Sequence, residues 1–513
     1  MSPTGGARLP APDGDQRAVD LPSTRVVELD VSQGLSGKVI SGAKWSTLSK
    51  LVAQGLQFIV GLVLARLLLP EDFGLVASVY VITQFSQLLF ELGLGASLIQ
   101  LKKPSERDMA TVFWVNVLSG LVFAAALSAL APLVASFYGE PALVALTPLV
   151  ALAFTLSIGV VHNAILARQL RFKVSAFIEV GAAIMGHATT VVTALLGFGP
   201  YSLAFGGLVT AAMASILSIC AVRWRPKHFI SRDSVRRLWR FSGGMLGFNV
   251  VNYWGRNADS LLVGRFLGVA SLGLYNRAYN LMLLPINQVT QSLGRVMFPA
   301  LAAIQNDPSR VRSAYLRTVR VTNVATVPVL VGLLAVSDGA VPLLWGPNWG
   351  DTIPLLQILC IAGLPQCVSS SVGWIYQSQG RTQRMFVMGV VGTVVGVALI
   401  VIGLQWGAIG VAFGVLARYW IMMPVGVHVA GALIGLKART VLWQAAPTML
   451  VGGVMGVVTW GMPAVLGVDR TAVWVVLLQV AVGAAVYVGG LRLLEPAGLR
   501  EVVGLVCRGR SRA

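Results

Sequence analysis

Apolar runs of about twenty residues recur along the whole chain, separated by short polar connections, and each run is long enough to cross a hydrocarbon core. They predict fourteen spans. The first six are 41–66, 73–98, 109–131, 143–165, 174–197 and 200–222; six more follow at 240–266, 271–296, 318–337, 352–377, 384–404 and 406–432; a last pair sits at 440–462 and 472–493. The fold class is therefore an all-α polytopic membrane protein, with no connection long enough to hold a catalytic domain.

Four spans interrupt the apolar pattern with polar residues at helical spacing. They carry Lys50, Gln54 and Gln57; Tyr80, Gln84, Gln87 and Glu91; Asn249, Asn252, Arg256 and Asp259; and Arg277, Asn280, Asn287, Gln291 and Arg295. Steps of three, four or seven residues place each set on one face of its helix. Amides and charges are costly against lipid, so such stripes face a bundle interior or a water-filled path.

Composition supports a chain that lives in lipid: 56% of residues are hydrophobic, only 12% are charged, and mean hydropathy is +0.77. The net charge of +19 is unevenly placed. With the N-terminus inside, the inner loops hold twenty-one Lys and Arg, seven of them between Arg223 and Arg240, against Arg66, Arg265 and Arg470 outside. That asymmetry predicts two cytoplasmic termini, and the basic inner face meets anionic lipid rather than nucleic acid. Residues 1–38 lack an apolar run and are expected to form a disordered tail; 495–513 form a basic cytoplasmic tail with an amphipathic pattern. Cys220, Cys360, Cys367 and Cys507 lack metal-site spacing, and no GxxxxGK[ST] loop for ATP is present.

An internal repeat organises the first twelve spans. Ala65-Arg66-Leu67-Leu68-Leu69-Pro70-Glu71-Asp72-Phe73-Gly74-Leu75 recurs as Gly264-Arg265-Phe266-Leu267-Gly268-Val269-Ala270-Ser271-Leu272-Gly273-Leu274, with matched arginines and matched glycines both 199 residues apart. Pro104-Ser105 is answered by Pro308-Ser309. An even number of spans separates the copies, so they run in the same direction, and a repeat-built transporter places its path between such halves. The predicted organisation is an N-terminal six-helix lobe at 39–239 with a basic inter-lobe loop, a pseudo-symmetric six-helix lobe at 240–435, and two further helices within 436–494.

Ala65 to Gly74, Gly93-Leu94-Gly95-Ala96-Ser97-Leu98-Ile99-Gln100, Arg256-Asn257-Ala258-Asp259, Gly273-Leu274-Tyr275-Asn276-Arg277-Ala278-Tyr279 and Val296-Met297-Phe298-Pro299-Ala300-Leu301 together resemble the Wzx-type polysaccharide flippases. These belong to the multidrug/oligosaccharidyl-lipid/polysaccharide exporter superfamily, and the likeness covers roughly residues 40–435. The resemblance implies a bacterial inner-membrane flippase, not an enzyme. It would carry a polyprenyl-pyrophosphate-linked oligosaccharide from the inner to the outer leaflet by alternating access, for lipopolysaccharide or exopolysaccharide synthesis. It implies no cofactor, coupling to a proton or sodium gradient, and work alongside a polysaccharide polymerase and export machinery.

Amides suit sugar hydroxyls because each offers donors and an acceptor. The expected substrate-binding set is therefore Gln54, Gln57, Gln84, Gln87, Asn249, Asn252, Asn280, Asn287 and Gln291, with Asp259 beside them. Arg256 and Arg277 suit pyrophosphate, and Lys50, about two turns into span one, meets the headgroup first. Arg256 and Asp259 stand at i and i+3, so an internal ion pair is an equal alternative. Glu91, Glu179 and Asp259 are the ionisable candidates for coupling. Arg418 lies mid-span with no partner evident, and His162 is expected to be a hydrogen-bonded core residue. Two other functions share some of this pattern: a small-molecule exporter, which wants a more apolar path, and a polysaccharide polymerase or ligase, which wants a large catalytic outer loop.

Overall fold

A computed structural model describes residues 35–91, 98, 104–501 and 504, and these are helical apart from turns and connections. In chain order the helices are α1 (Leu35–Leu67), α2 (Pro70–Glu91), α3 (Glu106–Tyr138), α4 (Leu143–Leu156), α5 (Val160–Arg168), α6 (Phe172–Leu195) and α7 (Tyr201–Ala221). They continue with α8 (Arg232–Ala303), α9 (Pro308–Trp345), α10 (Thr352–Ser369), α11 (Val372–Ser378), α12 (Thr382–Gly403), α13 (Gly407–Gly431), α14 (Ala438–Leu466) and α15 (Val473–Leu494). Among the described residues, eleven helices are long and apolar enough to cross a membrane, or twelve if α4 and α5, bent by 43°, count as one. Exposed Val122, Leu195, Val394, Leu450 and Val457 give the surface the apolar band that lipid requires.

Two of the eleven contain a glycine break. Gly268 (φ 84°) divides α8 into arms 232–267 and 269–303, and Gly407 (φ 68°) separates α12 from α13. Positive φ is open to glycine at little steric cost, so the chain can reverse there within one residue. Several helices outrun the expected spans. α1 is already helical at Leu35, inside the segment read as tail, and α3 continues through Pro132 to Tyr138. Residues 1–34, 92–97, 99–103, 502–503 and 505–513, including Cys507, lie outside the described residues.

The matched Pro-Ser positions both open a helix. Ser105 and Asp108 form a capping box at α3, while Asp307 accepts from the Ser309 and Arg310 amides (3.0 and 3.1 Å) at α9, with Pro308 in the first turn. The Ser309 hydroxyl and these amides hold the Asp307 carboxyl below the usual aspartate range. Its cap is therefore complete above that range and fades only as pH falls through the lowered value. Asp307→Ala is expected to speed amide exchange at 309 and 310 near neutral pH; unchanged exchange would show that this cap does not hold the first turn.

The core divides into several clusters. Leu75, Val76, Val79, Leu143 and Leu146 pack with Val269, whereas Leu272, Tyr275, Met282, Leu330, Leu359 and Val411 form a second. α14 and α15 lie on α9: the Tyr487 hydroxyl donates to the Val324 carbonyl (3.0 Å), and Gln479 Nε2 joins the pair by donating to the Thr459 carbonyl (2.9 Å).

Candidate functional site

Between residues 72 and 90, α2 has only two exposed residues, Gln84 and Gln87. A span that buries its apolar residues and shows only amides is turned toward a polar space rather than toward lipid. The second arm of α8 behaves alike: between 271 and 294 its exposed residues are Asn280, Leu284, Asn287, Gln291 and Ser292. α1 shows two faces. Exposed Lys50, Gln54 and Gln57 make one, and exposed Leu48, Leu51, Val52 and Ile59 make another about 155° away at 3.6 residues per turn.

Contacts bring these surfaces to one place. Gln288 Nε2 donates to Gln54 Oε1, joining α1 to the second arm of α8. The Tyr253 hydroxyl donates to the Val81 carbonyl (2.5 Å), and Phe85 lies 5.6 Å from Tyr253 and 5.1 Å from Trp254, joining α2 to the first arm. The amide stripes thus flank the interface between the two repeats. Asn249, Asn252 and Glu91 have side chains outside the described residues.

At the end that carries the α1–α2 turn, the interface closes. Arg277 Nη2 donates to the Gly61 carbonyl (2.5 Å), and its guanidinium carbon stands 4.4 Å from the Phe73 ring, 5.6 Å from Trp345 and 5.7 Å from Trp349. Trp349 Nε1 donates to the Ala65 carbonyl (2.8 Å), and Arg66 donates to the Leu343 and Leu344 carbonyls. Arg277 therefore does not join exposed Arg256 as a free donor, as its depth in the span suggested; it is held in an aromatic box.

Asp259 is buried and leaves the predicted stripe as well. Its carboxylate accepts from the Tyr275 hydroxyl (2.8 Å) and the Ser260 amide (2.8 Å), so its hydrogen-bond partner is a tyrosine, not the Arg256 of the i, i+3 alternative. Tyr275 stacks on Tyr279 at 5.8 Å, and the hydroxyls of Tyr279 and Tyr419 are 3.3 Å apart. The missing partner of Arg418 is the Gly255 carbonyl, 3.0 Å from Nη1, a backbone acceptor that no sequence pattern announces. Glu179 accepts from the Ser49 hydroxyl (3.0 Å), bracing α1 against α6, and buried His162 bonds the Trp224 carbonyl (3.2 Å). Sequence reading missed Gln288 and the aromatic box of Phe73, Trp345 and Trp349. Among the described residues, no group of three or more His, Cys, Asp or Glu is placed to hold a metal.

Residues 63–354 match a family described as "Polysaccharide biosynthesis protein". The lipopolysaccharide biosynthesis protein WzxC of Escherichia coli (strain K12) is 32% identical over 441 residues, covering 83% of this chain and 89% of the relative. The chain belongs to the Wzx-type polysaccharide flippase family. Within that family it is also similar to the succinoglycan biosynthesis transport protein ExoT of Rhizobium meliloti (strain 1021), 30% identical over 62% of this chain and 65% of the relative. The teichuronic acid biosynthesis protein TuaB of Bacillus subtilis (strain 168) is 25% identical over 69% of this chain and 74% of the relative. A structure of the lipid II flippase MurJ shares the fold, with TM-score 0.69 and 17% identity over 88% of this chain and 98% of that one. This flippase is thus a multi-pass membrane transport protein of polysaccharide biosynthesis, not an enzyme.

Proposed function

We propose that the chain moves a polyprenyl-pyrophosphate-linked oligosaccharide from the inner to the outer leaflet of a bacterial cytoplasmic membrane by alternating access through the cleft between its repeats. The observation that carries this reading is the exposure of Gln84 and Gln87 as the only open positions of α2 from 72 to 90, together with the exposure of Asn280, Asn287 and Gln291 on the second arm of α8. Amides on both walls can exchange hydrogen bonds with sugar hydroxyls while the lipid tail stays in the bilayer. A drug exporter wants a more apolar wall.

Joining α4 with α5, and dividing the helices broken at Gly268 and Gly407, gives the fourteen-span arrangement, with lobes at 39–239 and 240–435 and helices 13 and 14 within 436–494. The placement of basic residues supports an orientation with both termini in the cytoplasm and the α1–α2 turn outside. In that orientation the seam around Arg277 closes the outer end, and Lys50 lies toward the cytoplasm. Lys50, Gln54, Gln57 and Arg256 then receive the cargo, and Arg277 becomes free for its pyrophosphate as the box opens.

Asp259 is our choice of coupling group, since it is a buried carboxyl bonded from one α8 arm to Tyr275 on the other. Asp259→Asn keeps its size but cannot titrate. Loss of transport at normal expression is the expected result; full transport would confine Asp259 to the fold. The reading as a whole is tested by deleting the gene and following lipid-linked oligosaccharide and surface polymer. Accumulation of cytoplasm-facing intermediates with loss of polymer supports it. Unchanged pools together with drug sensitivity would move the small-molecule exporter ahead.

A further inference from the structure

The two helices that line the cleft also meet where it is sealed, and they do so through a reciprocal contact. A Cβ added at Gly74 would lie 2.5 Å from the carbonyl carbon of Val269 and closer still to its oxygen. A Cβ added at Gly273 would lie 2.8 Å from the carbonyl carbon of Pro70, again with the oxygen closer, and 3.1 Å from the Gly74 nitrogen. The repeat gives these four positions a relation that neither contact shows alone: Gly273 follows Gly74 by 199 residues, and Val269 follows Pro70 by the same 199. Each repeat thus presses its own glycine onto the other's first-turn carbonyl, about a local two-fold.

The surroundings are not symmetric. Arg66 reaches across to the Leu343 and Leu344 carbonyls, whereas its counterpart Arg265 crosses to a different kind of partner, the Phe137 ring of α3 at 5.5 Å. The Arg277 box likewise has no copy in the other half. Among these contacts the glycine crossing alone keeps the same kind of partner, a first-turn carbonyl, in both halves, which makes it the shared element on which the two lobes bear.

We infer that Gly74 and Gly273 are positioning residues for transport: they set how closely the two lobes approach at the outer end, and a single methyl at either one holds that end open. The clashing atoms are backbone and cannot swing aside as a side-chain tip would, so the lobes must separate or the helices must bend. Separation follows the motion that alternating access already requires. This inference rests on the alternation proposed above.

The test is a double spin-label distance measurement on the full chain in lipid nanodiscs, with native cysteines replaced. One pair, Phe198→Cys and Trp406→Cys, reports the sealed end; the other, Phe177→Cys and Val387→Cys, reports the opposite end, and all four positions are exposed. Gly74→Ala and Gly273→Ala are each expected to lower the ratio of short to long distance at the sealed end by roughly tenfold or more, with the reverse change at the other end. Two substitutions serve as controls. Gly55→Ala meets nothing within 4 Å, and Gly186→Ala clashes with Gly206 and Thr210 inside one lobe; neither should move the ratio.

A parent protein locked in a single distance at both ends would sink the alternation itself. A parent that alternates, with Gly74→Ala and Gly273→Ala distributed like it, overturns the glycine inference alone. So does failure of both variants to fold while Gly186→Ala folds, because the crossing would then be a core contact needed in every state.

Discussion

Arg277→Ala is expected to reduce transport at least tenfold while leaving insertion and expression intact. The side chain donates to the Gly61 carbonyl and sits against three aromatic rings, so it ties α1, α2 and the α9 end to the second arm of α8. A charge-assisted bond and one good cation–π contact together contribute about 3 kcal/mol. Losing that from one state alone changes the ratio of closed to open seam about a hundredfold. Arg277→Lys should fail nearly as badly, because an ammonium cannot both stack on Phe73 and keep the fork of donors. Surface polymer in a deletion strain, normalised to protein in the membrane, is the readout. Full activity of Arg277→Lys would show that charge alone suffices and that the box has no part in the cycle.

The second large effect concerns stability. Arg320→Ala is expected to cost about 3 kcal/mol, because it leaves Glu495, whose side chain is 7% exposed, with its charge uncompensated. Arg320 lies 3.2 Å from Glu495 and 3.6 Å from Glu501, and Glu495 also accepts from the Thr448 hydroxyl at 2.5 Å. The Gln444 amide oxygen, assigned by its partners, accepts from the same guanidinium at 2.8 and 2.9 Å. This cluster fastens α14 and the chain after α15 to the start of α9, and Arg470 with Asp338 (2.5 Å) makes a matching tie at the far end. Thermal unfolding in detergent tests it against Arg310→Ala, whose side chain is 76% exposed and should cost no more than about 0.5 kcal/mol. Equal melting of the two variants would mean that the cluster contributes nothing beyond a surface pair.

Much of this was legible in the chain because hydrophobic periodicity survives folding. The amides at 54, 57, 84, 87, 280, 287 and 291 are exposed, on the helix faces that their spacing predicts. Helix ends were less legible: α1 and α3 continue beyond their apolar cores because a helix needs no hydrocarbon once it reaches water. Charged residues misled most. Spacing showed Asp259 beside Arg256, but the Tyr275 hydroxyl reaches it from sixteen residues away, across the Gly268 reversal. Spacing likewise gave Arg277 a depth but not its neighbours, which come from Phe73 and the Trp345–Trp349 turn. The repeat matched Gly74 with Gly273 in register, but not their crossing, which only the packing of α2 on the second arm of α8 shows.

The claim that matters most is that the amide stripes line a water-filled path between the repeats. Single cysteines at Gln84, Gln87, Asn280 and Asn287, in a chain freed of its native cysteines, can be challenged with a membrane-impermeant maleimide. Lipid-facing Val192 and Leu450 are the comparison. The four cleft positions should react in intact proteoliposomes while positions 192 and 450 stay unlabelled. Four inert cleft positions, or labelling no faster than at 192 and 450, would place the stripes against lipid or within sealed lobes and contradict the path.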